Sequence, residues 1–210
     1  MKQADPNRDY RAFVAQGYDD CAPAFNAARS ASEEGLVAGL RARLPRGGRV
    51  LDLGCGGLPV SRHLADEHEI IGVDISHAQI ASARKHLPAG RFALGDMTTV
   101  AFAPGSFDAV VSFYAIFHTP RKLHDAIIRR MYDWLRPGGY LLASFGTDNE
   151  AGYTEEFFGV EMFWSNFNLE HYVAALTSCG FDVLDHRSIS HGYGADADPE
   201  SHPLLFAQKR

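Results

Sequence analysis

A short apolar run, Val50-Leu51-Asp52-Leu53, passes directly into Gly54-Cys55-Gly56-Gly57 and then into a segment of helical pattern beginning at Pro59. This junction constrains the chain more than any other feature. A buried strand that ends in clustered glycines lets the backbone turn tightly and lie close against a ligand, because no Cβ stands in the way. About twenty residues further on, a second apolar run, Glu69–Val73, ends in Asp74. An acid at that separation is placed to accept hydrogen bonds from ribose hydroxyls. The pair points to a ligand that contains a nucleoside.

The pattern around this junction alternates strand and helix. Strands are expected at Arg49–Leu53, Glu69–Val73, Arg91–Leu94, Phe107–Ser112 and Tyr140–Phe145. Helices are expected at Pro59–Ala65, at Ser76–His86 behind a serine N-cap, and at Lys122–Leu135 up to Pro137-Gly138-Gly139. Such alternation implies βαβ units and a mostly parallel sheet. Before it, Tyr10–Tyr18 and Ser32–Arg41 read as short helices. After it, 147–167 is rich in aromatics and acids without clear period. Leu169–Cys179 reads as a helix closed by Gly180, and Phe181–Leu184 and Leu204–Ala207 as two last strands around the Gly/Asp/Pro-rich stretch 191–203. The expected fold is α/β: a doubly wound, seven-stranded, mostly parallel sheet with an antiparallel C-terminal strand, helices on both faces and an N-terminal helical cap.

Composition narrows the function. At 210 residues, 46% hydrophobic and 22% charged, the chain has the makeup of one globular domain. A net charge of −6 offers no basic face for a phosphate backbone, so no nucleic-acid partner is expected. No apolar run approaches the roughly 18–20 residues that span a bilayer, and no secretory pattern opens the chain; the expectation is a cytoplasmic protein with no membrane partner, monomer or homodimer. Cys21, Cys55 and Cys179 are scattered, with no metal-ligand spacing, so no metal is expected.

The glycines also discriminate among nucleotide ligands. A dinucleotide fingerprint wants G-x-G-x-x-G, but Pro59 occupies its last glycine position, and the triphosphate motif GxxxxGK[ST] is absent. Asp52, beside the turn, disfavours a diphosphate and is able to help hold an ammonium group. A nicotinamide-dependent oxidoreductase is thereby disfavoured.

With these residues the chain resembles the class I S-adenosylmethionine-dependent methyltransferase family, small-molecule type, whose glycine motif is typically (V/L)LDLGCGxG. Val73-Asp74-Ile75-Ser76, Gly95-Asp96-Met97, Ser106–Val111 and Trp134–Gly139 follow in the family's order, and the likeness covers roughly residues 10–185. One departure stands out: the turn reads as if one residue were missing before Gly57. The resemblance implies a single domain with a cap over 1–45, a cofactor-binding core over 46–146, and a substrate lid with the last strands over 147–210. It implies S-adenosylmethionine as cofactor, with Asp52, Gly54, Cys55, Gly56 and Gly57 beside its methionyl part and Asp74 on the ribose. Ile75 and Met97 would sandwich the adenine and Asp96 take its amine. Ser112 and Phe113 would lie under the sulfonium, and Tyr18 over the cofactor.

The activity so implied is methyl transfer to an oxygen or nitrogen of a small, aromatic or apolar acceptor. His118 is the candidate general base, since histidine suits proton transfer near neutral pH; a loop-bracing role stands beside it. His124 is expected on a helix surface. Neither the (D/N/S)PP(Y/F) tetrapeptide of amine methyltransferases nor the acidic metal ligand of catechol-type enzymes is present at Ser112-Phe113-Tyr114-Ala115. Tyr114, Phe117, Trp164, Phe167, His191 and Tyr193 are candidates for the acceptor pocket, with Trp164→Ala expected to raise KM. A catalytically silent cofactor-binding regulator or partner subunit remains the alternative at this point.

Overall fold

The computed structural model describes residues 2–5, 8–28, 34–191 and 200–210, without the side chains of 190, 191 and 200. Its elements in chain order are β1 (Lys2–Gln3), α1 (Tyr10–Ala28), α2 (Glu34–Arg41), β2 (Arg49–Leu53), β3 (Glu69–Asp74), α3 (His77–His86), β4 (Arg91–Leu94) and β5 (Phe107–Ser112). Then come α4 (His124–Trp134), β6 (Leu135–Ser144), β7 (Tyr153–Phe157), β8 (Val160–Trp164), α5 (Leu169–Cys179), β9 (Phe181–His191) and β10 (Glu200–Lys209).

Seven strands form one sheet in the order β4-β3-β2-β5-β6-β10-β9. Parallel pairing links β2 to β3 and β5, β3 to β4, and β5 to β6; β10 runs antiparallel to both β6 and β9. Central parallel strands are covered on both faces, which is why β5 is buried at all six positions and why β2 reads as an apolar run. One face packs Leu51, Val110 and Leu141 against Ile127, Ile128 and Met131 of α4 and Tyr172 and Leu176 of α5. The other face packs Val50, Val111 and Leu142 against Val37 and Leu40 of α2 and Leu64. Each such side chain contributes roughly 1.5–3 kcal/mol through burial. Among the described residues, no helix is long and apolar enough to cross a membrane.

The strand order reverses at β2, between β3 and β5, and that reversal opens a crevice beyond the carboxyl ends of these strands. A cover lies over the crevice. Helix α1 runs for 19 residues, well past the expected Tyr18, with Pro23 inside it. The segment 147–167, expected without regular structure, contains the β7–β8 hairpin, and β1 adds a third strand to it. Its two-residue turn, Phe158-Gly159, has φ of +51° and +82°, the left-handed pair that tight hairpins require.

Three other expectations are corrected. Val60–Leu64 is a 3-10 turn rather than a regular helix. Strands β9 and β10 reach Phe181–His191 and Glu200–Lys209, well beyond the expected spans. His124 is fully buried, not on a surface, because it falls on the same stripe of α4 as Ile127, Ile128 and Met131. Its ring meets Tyr172 Oη at 2.9 Å and Thr119 O at 3.0 Å, and burial lowers its pKa to about 4.

Candidate functional site

The crevice holds a cavity lined by the turn residues Gly54 and Gly56, by Asp74 and Ile75 after β3, by Gly95, Asp96 and Met97 after β4, and by Phe113 to Ala115 after β5. Helix α1 closes it from above with Arg11, Val14, Tyr18 and Phe25.

The glycine turn is built for close approach. Gly54 has φ +76°, and a Cβ there would collide with Ala115 and reach within 3.2 Å of Met97 Cε. Only glycine lets the turn pack this closely against the loop that carries Ala115. The Gly56 amide donates to Asp74 Oδ2 at 2.8 Å, and the Ser76 amide donates to Asp74 Oδ1 at 3.0 Å. Asp74 is therefore fixed in orientation at the cavity wall. Burial raises its pKa, against the lowering effect of the amides of Ser76, Gly56 and Ile75.

Ile75 and Met97 stand on the wall next to it, both partly buried, and make an apolar slot beside a carboxylate. Asp96 accepts from the Thr98 amide and hydroxyl, both at 2.7 Å, and lies 3.7 Å from Arg11 of α1. Phe113 forms the floor. Tyr114 has φ +54°, rare for a large side chain, and its amide donates to Ser144 Oγ at 2.7 Å.

At the far end, Tyr18 Oη and His118 Nε2 are 2.7 Å apart, and His118 Nδ1 lies 2.9 Å from the carbonyl oxygen of Phe163. That carbonyl can only accept, so Nδ1 carries a proton. In the neutral ring, Nε2 then accepts from the Tyr18 hydroxyl. His118 is buried among aromatic rings: Trp164 at 4.4 Å, Phe117 at 5.0 Å and Tyr18 at 5.2 Å between centroids. An imidazole oriented in this way beside a tyrosine hydroxyl can, in its neutral form, take a proton from a group in the cavity.

Several candidates from the sequence stand elsewhere. Asp52 turns its carboxylate to the Ser61 hydroxyl at 2.5 Å and is not on the cavity wall. Cys55 packs with Ile80, Ala83 and Phe92. Gly57 faces α3, near Asn26 and Gln79. Ser112 is buried and donates to Leu53 O at 2.7 Å, bracing β2. Phe117 and Trp164 sit behind His118 rather than on the cavity wall, because both belong to the small core beneath the cover. Phe167 stacks on His171 at 3.7 Å, next to α5. His191 ends β9 with its side chain outside the described residues, and Tyr193 lies outside them altogether.

Sequence reasoning passed over Arg11, Val14, Phe25, Gln79 and Thr119 on the wall. Arg11, Val14, Tyr18 and Phe25 are spaced three, four and seven apart, one stripe of a helix, and that period was a usable signal. Gln79 gave none: it is 1% exposed, and neither atom of its amide has a hydrogen-bond partner.

Residues 50–139 match a family model described as a methyltransferase domain. The trans-aconitate 2-methyltransferase of Variovorax paradoxus is 35% identical over 113 residues, 52% of this chain and 43% of that protein. The malonyl-[acyl-carrier protein] O-methyltransferase of Enterobacter lignolyticus is 35% identical over 132 residues, 61% of this chain and 51% of that one. The chain thus spans about half the length of these relatives. Among solved structures, the 1,6-didemethyltoxoflavin-N1-methyltransferase of Burkholderia thailandensis superposes with a TM-score of 0.74 at 18% identity, covering 100% of this chain and 92% of that one.

Proposed function

The chain belongs to the class I methyltransferase family, and from that premise we propose that it transfers a methyl group from S-adenosylmethionine to an oxygen or nitrogen of a small, aromatic or apolar acceptor. The observation that carries this reading is the meeting, in one cavity, of a glycine turn tied to a fixed carboxylate and an imidazole–tyrosine pair.

The residues fit the cofactor. Gly54 and Gly56 bring the turn's backbone to the cavity wall, Asp74 offers acceptors for ribose hydroxyls, and Ile75 and Met97 give apolar surface for a flat ring, with Asp96 on the same wall. Gly54 and Gly56 line the methionyl end, Phe113 the floor, and Tyr18 the roof. Asp52 and Ser112 serve from behind, holding Ser61 and β2 in place. When bound, S-adenosylmethionine supplies a methyl group already activated by its sulfonium.

What remains for this chain is to align the acceptor, exclude water and remove a proton where the nucleophile carries one. The cover of α1 and β7–β8 performs the first two tasks. The third falls to His118, in contact with Tyr18: a proton leaving the acceptor reaches Nε2 directly or by way of the Tyr18 hydroxyl. The Phe163 carbonyl keeps Nδ1–H in place, so the imidazole stays oriented as it gains charge.

The test has two steps. Calorimetry should show S-adenosylhomocysteine binding at micromolar or tighter affinity, and labelled S-adenosylmethionine should then transfer its methyl group to members of a panel of phenols, heteroaromatic amines and small acids. Binding without transfer to any of them would favour the silent-binder alternative; no binding would remove the reading altogether.

A further inference from the structure

Gln79 lines the cavity that also holds Asp74. It sits in the first turn of α3, where its amide N–H donates to the Ser76 hydroxyl at 3.1 Å. Its side chain is almost wholly buried, it lines the same cavity as Asp74, and both its Oε1 and its Nε2 are without partners. Burying an amide in that condition is costly, so a native site holds one there for a partner that arrives from outside. Asn26 of α1 comes to the same spot: the point where a Cβ on Gly57 would stand is 2.5 Å from both Asn26 Nδ2 and Gln79 Oε1, and Asn26 Oδ1 is also unpartnered.

The chemistry of the two neighbours is complementary. The Asp74 carboxylate accepts from the Gly56 and Ser76 amides and has only lone pairs left to offer. Two adjacent hydroxyls present two O–H donors, which a carboxylate can take, but their oxygens also need a donor. Gln79 Nε2 is a free donor on the same wall, and Gln79 Oε1 is a spare acceptor. Ser76 ties the two together, since its amide binds Asp74 while its hydroxyl caps the turn that carries Gln79. We propose that Gln79 reads the vicinal hydroxyls of the bound nucleoside jointly with Asp74, Asp74 accepting from them and the Gln79 amide donating to them. This rests on the cofactor assignment above.

The test is a binding cycle read by calorimetry, without turnover. S-adenosylhomocysteine and its 2′-deoxy and 3′-deoxy analogues are titrated into the wild-type protein and into Gln79→Met, which keeps the side chain's length and burial. Wild type should lose about tenfold or more in affinity for at least one deoxy analogue. Gln79→Met should bind the full compound about tenfold more weakly yet show little further loss for that analogue. Without ligand, Gln79→Met should melt at or above the wild-type temperature, because no internal hydrogen bond of that side chain is lost. Wild type binding S-adenosylhomocysteine while Gln79→Met binds it equally well, or keeps the full deoxy penalty, overturns the role of Gln79 and leaves the cofactor assignment standing. A lower melting temperature for ligand-free Gln79→Met would likewise mark Gln79 as structural. Failure of wild type to bind S-adenosylhomocysteine at all overturns both.

Discussion

Asp19 Oδ1 on α1 accepts from the Ser76 hydroxyl at 2.6 Å and from the Ala78 amide at 2.9 Å, so a side chain of the cover helps cap the helix that follows Asp74. One carboxylate oxygen thus ties α1 to the N-terminus of α3, where negative charge is also favoured by the helix dipole. The consequence is mechanical coupling between the cover and the loop that carries Asp74.

Asp19→Ala should cost about 1–2 kcal/mol of stability, the usual loss for a cap with two bonds. Amide exchange along α1 should rise more than elsewhere. Urea midpoints and exchange mass spectrometry check both; unchanged protection of α1 would show that Asp19 does not fasten the cover.

Replacing His118 by Asn should lower kcat about 10²–10⁴-fold for a protonated acceptor, the range for loss of a general base. Tyr18→Phe should lower it less, near tenfold, since the imidazole remains but loses its hydroxyl partner. Trp164, which backs His118 at 4.4 Å, should act when cut to Ala mainly on kcat through a loosened imidazole, not on KM as a wall residue would. Steady-state kinetics on the three variants decides, and equal kcat in His118→Asn and wild type refutes the base role.

A methyl group at position 54 meets Ala115 and must also accept φ +76°. Gly54→Ala should therefore lose roughly 1 kcal/mol or more of stability to backbone strain. It should also weaken S-adenosylhomocysteine binding by more than tenfold while circular dichroism still reports a folded chain. Retained affinity in a folded variant would place the ligand elsewhere.

Stability should fall in mild acid because of His124. In the folded chain its pKa is near 4, against 6.5 when free, so between these values the unfolded chain takes up a proton that the folded chain refuses. The favourable contribution is complete above pH 6.5 and is lost as the pH drops to 4, amounting to about 3 kcal/mol at 1.36 kcal/mol per pH unit. His68, whose pKa burial also lowers, adds in the same direction. Urea unfolding at pH 7 and pH 5 should show the decline, and His124→Gln, less stable at neutral pH, should show a flatter one. Parallel pH curves for the two proteins would point to other groups.

The sheet and the glycine turn were legible because their signals are local. Val50–Leu53, Val73-Asp74 and Phe107–Ser112 are runs whose burial follows from their composition. The hairpin of the cover was not legible, since its turn uses Phe158-Gly159 where asparagine or aspartate before glycine would announce it. The helical stripe from Arg11 to Phe25 and the stripe that buries His124 were both readable from spacing. The contact between Tyr18 and His118 joins residues 100 apart, and no local pattern encodes it. Asp52 misled because an acid next to a glycine turn looks like a ligand group until its serine partner nine residues on is seen.

The imidazole of His118 hangs from a loop of the sheet, yet the Tyr18 hydroxyl and the Phe163 carbonyl, which meet its two nitrogens, belong to the cover. Displacing α1 and the hairpin would break both of these contacts. On the proposal that His118 takes the acceptor's proton, the same segments that roof the cavity also aim its base, so access to the chamber and alignment of the imidazole depend on one set of contacts.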